Sequence, residues 1–435
     1  MMSRRARGRW LEVISIAAIA WLAYRGHLEI EWNDGVVRAE DALLRRVAVG
    51  VRVASALFLG AAIRSSLRAP RIPVLVASYS RSLAFGVGLL WVAHPIGFEG
   101  VFGAGEVGWT SLPGIGALLF FACWDASLRA LAGDGRGWGW AAVGLALVGA
   151  GLGVLPLLGL PLLGLFLRAF GDERVLVSAR REPALGLGLL LAFVAGLARF
   201  LLVEGPVLDA THFAAQGWLI PRGFGSLLAP SLLVVHHGPA IPPLADWNVA
   251  GPQLAVLWLG GALVAWRLPR FGFAIAWFLA LYAPWLLGGV DELVHRDSAA
   301  DLPVVGPLLG LAIVPFLFTS SKTASARLAG ARAWILGVLI LAAFLVGATR
   351  KRAELYRAEP VFWARAVLDA PKNPEAWTRH ASFLARASKN DDAVGAYRRA
   401  LLLVPGYDRA HSELEALLIR LGRTEEARTL STDDE

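Results

Sequence analysis

Apolar residues run in long blocks along the chain, each closed by a short cluster of charged, glycine or proline positions. The blocks fall at roughly 10–24, 47–63, 72–93, 111–131, 139–153 with 154–167, 183–203, 250–266, 271–289, 303–319 and 333–348. A helix needs about 20 mostly apolar residues to cross a hydrocarbon layer of ~30 Å, so blocks of this length predict membrane spans. No block alternates apolar and polar positions as barrel strands do. The fold class expected is all-α: a polytopic helical membrane protein with about 11 crossings. The segment 217–235 is apolar but lies between loops of one side, and re-entrant and interfacial placements both fit it.

Composition strengthens this picture. With 56% hydrophobic and 17% charged residues, and a mean hydropathy of +0.57, the chain has more apolar surface than one soluble core could hide. Arg4, Arg5, Arg7 and Arg9 precede the first apolar block, Trp10–Tyr24, which lacks a small-residue cleavage site and reads as a signal anchor. The single cysteine, Cys123, excludes disulfides and cysteine-based metal sites within one chain. The net charge of +8 belongs to arginines that orient a membrane chain, so nucleic acid is not an expected partner.

Where the arginines fall sets a topology. Arg4–Arg9, Arg64, Arg68, Arg71, Arg129, Arg136, Arg168, Arg174, Arg180, Arg181, Arg267, Arg270, Lys322, Arg327 and Arg332 share one side, which the positive-inside rule makes cytoplasmic. Arg25, Arg38, Arg45, Arg46, Arg222 and Arg296 fall opposite. The stretch 139–167 has basic residues at both ends, which a short-helix hairpin turning near Leu155-Pro156 accommodates and a single crossing does not. An odd number of crossings puts the C-terminus outside, although Arg350, Lys351 and Arg352 after the last span pull the other way.

On that topology carboxylates and histidines collect outside. The first outer loop, 27–46, has amphipathic spacing and holds Glu29, Glu31, Asp34, Glu40 and Asp41. The second holds His94, Glu99 and Glu106, and later loops add "VLDATH" (207–212), "HHGPAIPPLADW" (236–247) and "DELVHRDSAAD" (291–301). Two readings stand: these are ordinary polar loops, or they form an interfacial site where a partly desolvated carboxylate serves as general base. Arg81 lies inside the third block, and an intramembrane charge points to function unless it snorkels or the helix starts later. No G-x-x-x-x-G-K-S/T loop occurs, so direct nucleotide hydrolysis is not expected. Asp34, Glu99 and His236/His237 could converge on a divalent metal, but no ligand spacing demands one.

From 353 onward the chain reads as soluble, helical and repetitive. Pro371 and Pro405, Trp363 and Tyr397, Ala366 and Ala400, and Ala393 and Ala427 recur at the 34-residue tetratricopeptide period. The unit 374–407 fits best, with Trp377, Ala381, Leu384, Ala393, Tyr397, Ala400 and Pro405 in signature positions. The division expected is a membrane domain 1–349, a short C-terminal tetratricopeptide solenoid 350–431 and a disordered tail 432–435. Trp377 and Tyr397 are candidates for binding a partner, with packing between helices as the alternative role.

The order of these features resembles bacterial relatives of the transmembrane and tetratricopeptide-repeat mannosyltransferases, members of the C superfamily of multi-spanning glycosyltransferases. "EWNDGVVRAED" is similar to the family's first-loop acidic motif, "HPIGFEGV" to a His-Pro-x-x-x-Glu motif, and "LPLLGLPLLGLFLRAF" to its short-helix pair. "YRAEPVFWARAVLDAPKNPEAW" followed by "AVGAYRRALLLVPGY" is similar to its junction of last span and repeats, and "DLPVVGPLLGLAI" to a late outer motif. The resemblance implies inverting transfer of a sugar from a polyprenyl-phosphate donor to a protein hydroxyl at the outer face of a bacterial inner membrane, with no cofactor beyond the lipid-linked donor. It implies catalytic roles for Asp34, as base, with Glu99 and His94, and substrate-binding roles for Glu40, Asp41, Arg222 and Arg296. Asn33 stands where the family commonly has Asp, Gly97 replaces a common histidine, and the Lys-Glu often before the short-helix pair is replaced by "GAGL" at 149–152. Such departures leave two further readings open. One is a catalytically inactive scaffold whose repeats bind an envelope protein; the other is a transporter, for which the chain shows little internal symmetry.

Overall fold

The computed structural model describes residues 4–25, 39–97, 114–135, 137–153, 159–172, 182–204, 247–287, 302–318, 324–356 and 358–432, with Leu157, Val177 and Gly225. These residues form helices and turns and no strand. In chain order the helices are α1 (Arg4–Tyr24), α2 (Ala39–Ser66), α3 (Val74–Ser78), α4 (Ser80–Ala93), α5 (Ile115–Ala132), α6 (Gly137–Gly151), α7 (Leu162–Phe170) and α8 (Pro183–Arg199). They continue as α9 (Trp247–Arg267), α10 (Pro269–Leu287), α11 (Val305–Phe318), α12 (Ala324–Glu354), α13 (Glu359–Asp369), α14 (Pro374–Arg386), α15 (Asn390–Leu403), α16 (Asp408–Arg420) and α17 (Thr424–Thr432).

Among the described residues four helical stretches are long and apolar enough to cross a membrane: Leu43–Ser66, Ile115–Ala132, Pro183–Val203 and Ala329–Glu354. Trp10–Tyr24, Ser80–Ala93, Gly137–Gly151 and Gly272–Ala283 are shorter apolar helices. The outward faces of α8 and α12 carry exposed Leu187, Leu190, Leu191, Leu336, Ile340 and Phe344, an apolar surface suited to lipid rather than water.

Helix α4 is the centre of the bundle. Every residue from Leu89 to Ala93 is buried, and α1, α2, α11 and α12 all pack on it. The approach of α2 is close because Gly88 has no side chain: a Cβ there would stand 3.1 Å from the Ala56 carbonyl oxygen. An aromatic seam ties in α5, α7 and α10, with Trp91 edge-on to Phe121 (5.8 Å), Phe120 and Trp124 on Trp277 (5.4 and 5.2 Å), and Phe166 on Phe273 (5.5 Å). Edge-to-face pairs of this kind fix ring orientation as well as burying area.

Side-chain hydrogen bonds fix the helix directions. Near the C-terminal ends of α1, α4 and α12, Tyr24 bonds the Val92 carbonyl and Thr349 that of Ala93, so these three helices run the same way. Ser55 reaches Gly114 at the start of α5, and Trp124 Nε1 donates to Ser66 Oγ (3.0 Å), so α2 and α5 run together in the opposite sense. At the far end Glu12 pairs with Arg81 and, at 3.8 Å, with Arg64, while Arg129 bonds Asp125 at 2.8 Å. Helix α6 leaves that end, where Arg129 lies 4.4 Å over the Trp138 ring, and α7 returns to it, where Arg71 N–H donates to the Phe170 carbonyl (3.0 Å).

The third apolar block is broken. Ser78 Oγ bonds back to the Leu75 carbonyl, and Tyr79 both ends α3 and precedes α4, so the long helix begins only at Ser80. Arg81 therefore sits in the first turn of α4, half-exposed and paired with Glu12, rather than within a span. The second helix, by contrast, starts earlier than its apolar block: residues 39–46 of the outer loop belong to α2.

Beyond Glu354 five short helices follow. Asn373 caps α14 by accepting from the N–H groups of Glu375 (3.0 Å) and Ala376 (3.3 Å). The turn into α15 passes through Ser388, whose positive φ of 61° lets the chain reverse within Ala387–Lys389. Fully buried Ala381, Ala393 and Ala400 let α14 and α15 approach, and Ala410 and Leu414 extend the same core into α16. The main core does not stop at the end of α12: Tyr356, Phe362, Trp363, Ala366 and Ala376 belong to it.

His380, half-buried on α14, has its pKa lowered from 6.5 by burial, opposed by the charge of Asp392. The folded state thus resists a proton the unfolded chain accepts, so stability is full above pH ~6.5 and is lost as pH falls below it. Hydrogen exchange in peptides of 374–403, corrected for intrinsic rates, should show less protection at pH 5.5 than at 7.5, and His380→Gln should flatten the difference. Equal protection at both values would show that His380 titrates alike in both states.

Candidate functional site

Pro95 dictates the chemistry at the end of α4. In a continuing helix the N–H of residue 95 would serve the carbonyl of Trp91, but proline has none. The residue before a proline is pushed toward extended backbone, and His94 ends the helix at ψ 130°. Of the last carbonyls of α4, that of Trp91 keeps a long 3-10-type bond from the His94 N–H (3.4 Å) in place of the one Pro95 removes. At a surface water would take them, yet Trp91, Val92 and Ala93 have no solvent exposure.

Three other helices supply the donors. Arg52 Nη2 of α2 donates to the Trp91 carbonyl (2.8 Å), Tyr24 Oη of α1 to that of Val92 (3.2 Å), and Thr349 Oγ1 of α12 to that of Ala93 (2.7 Å). The Arg52 guanidinium also lies 4.3 Å over the Trp91 ring, and its charge complements the negative end of the helix dipole. Arg45 stands two turns before Arg52, about 10 Å along the same face of α2. Arg352 stands one turn past Thr349, and α12 also packs on the 3-10 turn Pro95–Gly97. Arg45, Arg52 and Arg352 are all buried, each at most 7% exposed.

His94 is buried beside them. Its Nδ1 accepts from the Ile96 N–H at 3.1 Å, and because a backbone N–H can only donate, the ring is neutral with its proton on Nε2. In this arrangement the imidazole offers a donor to its surroundings. It is not placed to act as a base through Nε2.

Asp34, Glu99, Arg222 and Arg296 lie outside the described residues. Glu40 and Asp41 belong to the first turn of α2. In the sequence Asp34 precedes the start of α2 by five residues, and Glu99 follows the 3-10 turn by two, so both acidic segments join the chain at the His94 end. Among the described residues no group of three or more His, Cys, Asp or Glu could hold a metal.

The residues that sequence reasoning passed over are Tyr24, Arg45, Arg52, Thr349 and Arg352. A signal existed for one of them: Arg52 is the arginine inside the second apolar block, and the rule that led to Arg81 applies to it with more force. Trp377 and Tyr397 are both occupied within the C-terminal helices. Trp377 Nε1 donates to the Pro371 carbonyl (2.8 Å), and the buried Tyr397 donates its hydroxyl to Glu413 (2.9 Å), which also accepts from Arg409. Burial and the Glu413 carboxylate push the Tyr397 phenol well above its ordinary pKa. No protein-family model, curated protein or solved structure significantly matches the chain.

Thr349→Val keeps the shape of the side chain and strands the Ala93 carbonyl. It should cost about 1–3 kcal/mol, the penalty for an unmet buried polar group, and lower the thermal midpoint of the detergent-purified protein. Tyr24→Phe should act in the same direction through Val92. Unchanged midpoints in both would mean that the end of α4 is not held by these bonds.

Proposed function

We propose that the chain is an inner-membrane glycosyltransferase that moves a sugar from a polyprenyl-phosphate donor to a protein hydroxyl at the outer face. In this reading the chain makes about 11 crossings, the arginine-rich start of α1 is cytoplasmic, and the His94 end of the bundle faces outward. Helices α13–α17 are then short tetratricopeptide repeats on the outer side. Because α1 and α12 run the same way, α12 ends at the side opposite α1's start, which supports this, and so does the burial of Arg352, which removes one of the three basic residues that argue for a cytoplasmic C-terminus.

The observation that carries the proposal is the gathering of Arg45, Arg52, Arg352 and a neutral His94 at the end from which both acidic segments depart. The acceptor oxygen attacks the anomeric carbon on the face opposite the phosphate. The carbon–oxygen bond to phosphate breaks, its electron pair leaves on the phosphate, and the acceptor's proton passes to the Asp34 carboxylate. Cations at this end stabilise the phosphate's developing charge, Arg45 and Arg352 together with Arg222 or Arg296, and desolvation strengthens them. Glu99, Glu40 and Asp41 position the sugar and acceptor. A non-catalytic scaffold is the competing reading, and the core shared by α12, α13 and α14 favours it by making the C-terminal helices a fixed part of the bundle.

Membranes from a strain lacking the protein, restored with wild type or Asp34→Asn, are given radiolabelled polyprenyl-phosphate sugars and assayed for label in envelope proteins. Wild type should restore transfer and Asp34→Asn should reduce it at least ~100-fold at equal protein level, the lower bound for a lost general base. Equal transfer by the two proteins removes Asp34 as the base, and no transfer by wild type from any donor favours the scaffold.

A further inference from the structure

A groove of about 370 Å³ runs between α7, α9 and α10, and none of the residues at the end of α4 lines it. Its walls include Leu162, Leu165, Ala262 and Leu279, and its one charged lining residue is Arg168. The volume falls within the ~300–1,000 Å³ of small-molecule sites. The rim is apolar and open: Val256, Leu259, Leu263 and Trp266 of α9 are all more than half exposed.

The groove has a direction. Arg168 lies 4.4 Å over the ring of Trp266 at one end, and Trp258 lines it eight residues earlier on α9, about 12 Å away along the helix. That length is close to one leaflet of a ~30 Å hydrocarbon core. Its charged end is the one where Phe170 meets Arg71, so the groove opens from the membrane surface opposite the His94 end. Arg267 and Arg270 flank the same turn, and among the described residues no carboxylate pairs with any of these three arginines. An aromatic ring and a cation at interface level, above an apolar slot one leaflet deep, form a receptor for an anionic headgroup with a chain beneath it.

We propose that this groove binds an anionic glycerophospholipid of the cytoplasmic leaflet, with its phosphate at Arg168 and one acyl chain between α7, α9 and α10. The inference rests on the membrane-embedded reading and its orientation, and it is independent of sugar transfer. The lipid fills the space lined by the small residues Ala262, Ala276 and Ala280, and so joins the α6–α7 hairpin to the α9–α10 pair.

Full-length protein, purified in mild detergent, is extracted and its retained lipids are identified by mass spectrometry. Wild type should retain an anionic glycerophospholipid enriched over its share of the bulk membrane. Arg168→Gln should lower that retention about fivefold, the loss expected for one interfacial cation. Ala262→Trp, which fills the groove from its exposed rim, should abolish it. A bulk-like lipid profile, or equal retention by both variants, overturns the proposal; retention of a polyprenyl phosphate in its place does so too and assigns the groove to the donor. Should Ala262→Trp fail to fold, delipidated wild type decides: phosphatidylglycerol should raise its thermal midpoint more than phosphatidylcholine, and equal shifts overturn the proposal. Retention is read without any transfer assay, so a failure here is distinct from a failure of the transferase reading.

Discussion

A buried helix end is the constraint around which the bundle is arranged. The three carbonyls at the end of α4 are shut off from water, and an unmet carbonyl in such a place costs about as much as one or two favourable contacts provide. Beyond the long bond that the His94 N–H gives Trp91, the cost is avoided because α1, α2 and α12 each bring a donor to the same turn. The mutual position of four helices that are far apart in sequence is therefore set by polar groups, because apolar packing in lipid has little preference between one helix face and another. Gly88 then allows α2 close enough for Arg52 to reach Trp91.

The same arrangement concentrates positive charge. Arginine is suited to this place because its planar fork can bond a carbonyl and stack on an aromatic ring together, as Arg52 does with Trp91. Arg45 and Arg352 stand farther along the outward direction of their helices, where the acidic segments join. The cations of the proposed chemistry stand on the same helices, α2 and α12, whose Arg52 and Thr349 hold the end of α4, so architecture and site are linked there.

Much of the helix layout was legible in the apolar blocks, because hydrophobic length alone sets it. The start of α9 lies within a few residues of its block, as do both ends of α5. The block at 72–93 was misread as one element because hydropathy does not register the back-bonding of Ser78 or the turn at Tyr79. Arg52 escaped notice because its partner is a main-chain carbonyl, which leaves no complementary acidic residue in the sequence. Trp377 and Tyr397 stand out in the sequence as aromatic positions in a helical segment with a 34-residue recurrence. Their hydrogen bonds to Pro371 and Glu413 were not legible there, since these depend on how α13, α15 and α16 stack.

The spacing of the α4 donors along the chain gives assembly an order. Tyr24 and Arg52 are synthesised before the carbonyls they serve, by 68 and 39 residues, so those two bonds can close as soon as α4 enters. Thr349 comes 256 residues after Ala93. Throughout that interval the nascent bundle carries an open acceptor at its centre, and a chain that stops short of α12 keeps it. Completion of the last span is thus recorded in the middle of the molecule, as the closing of one hydrogen bond.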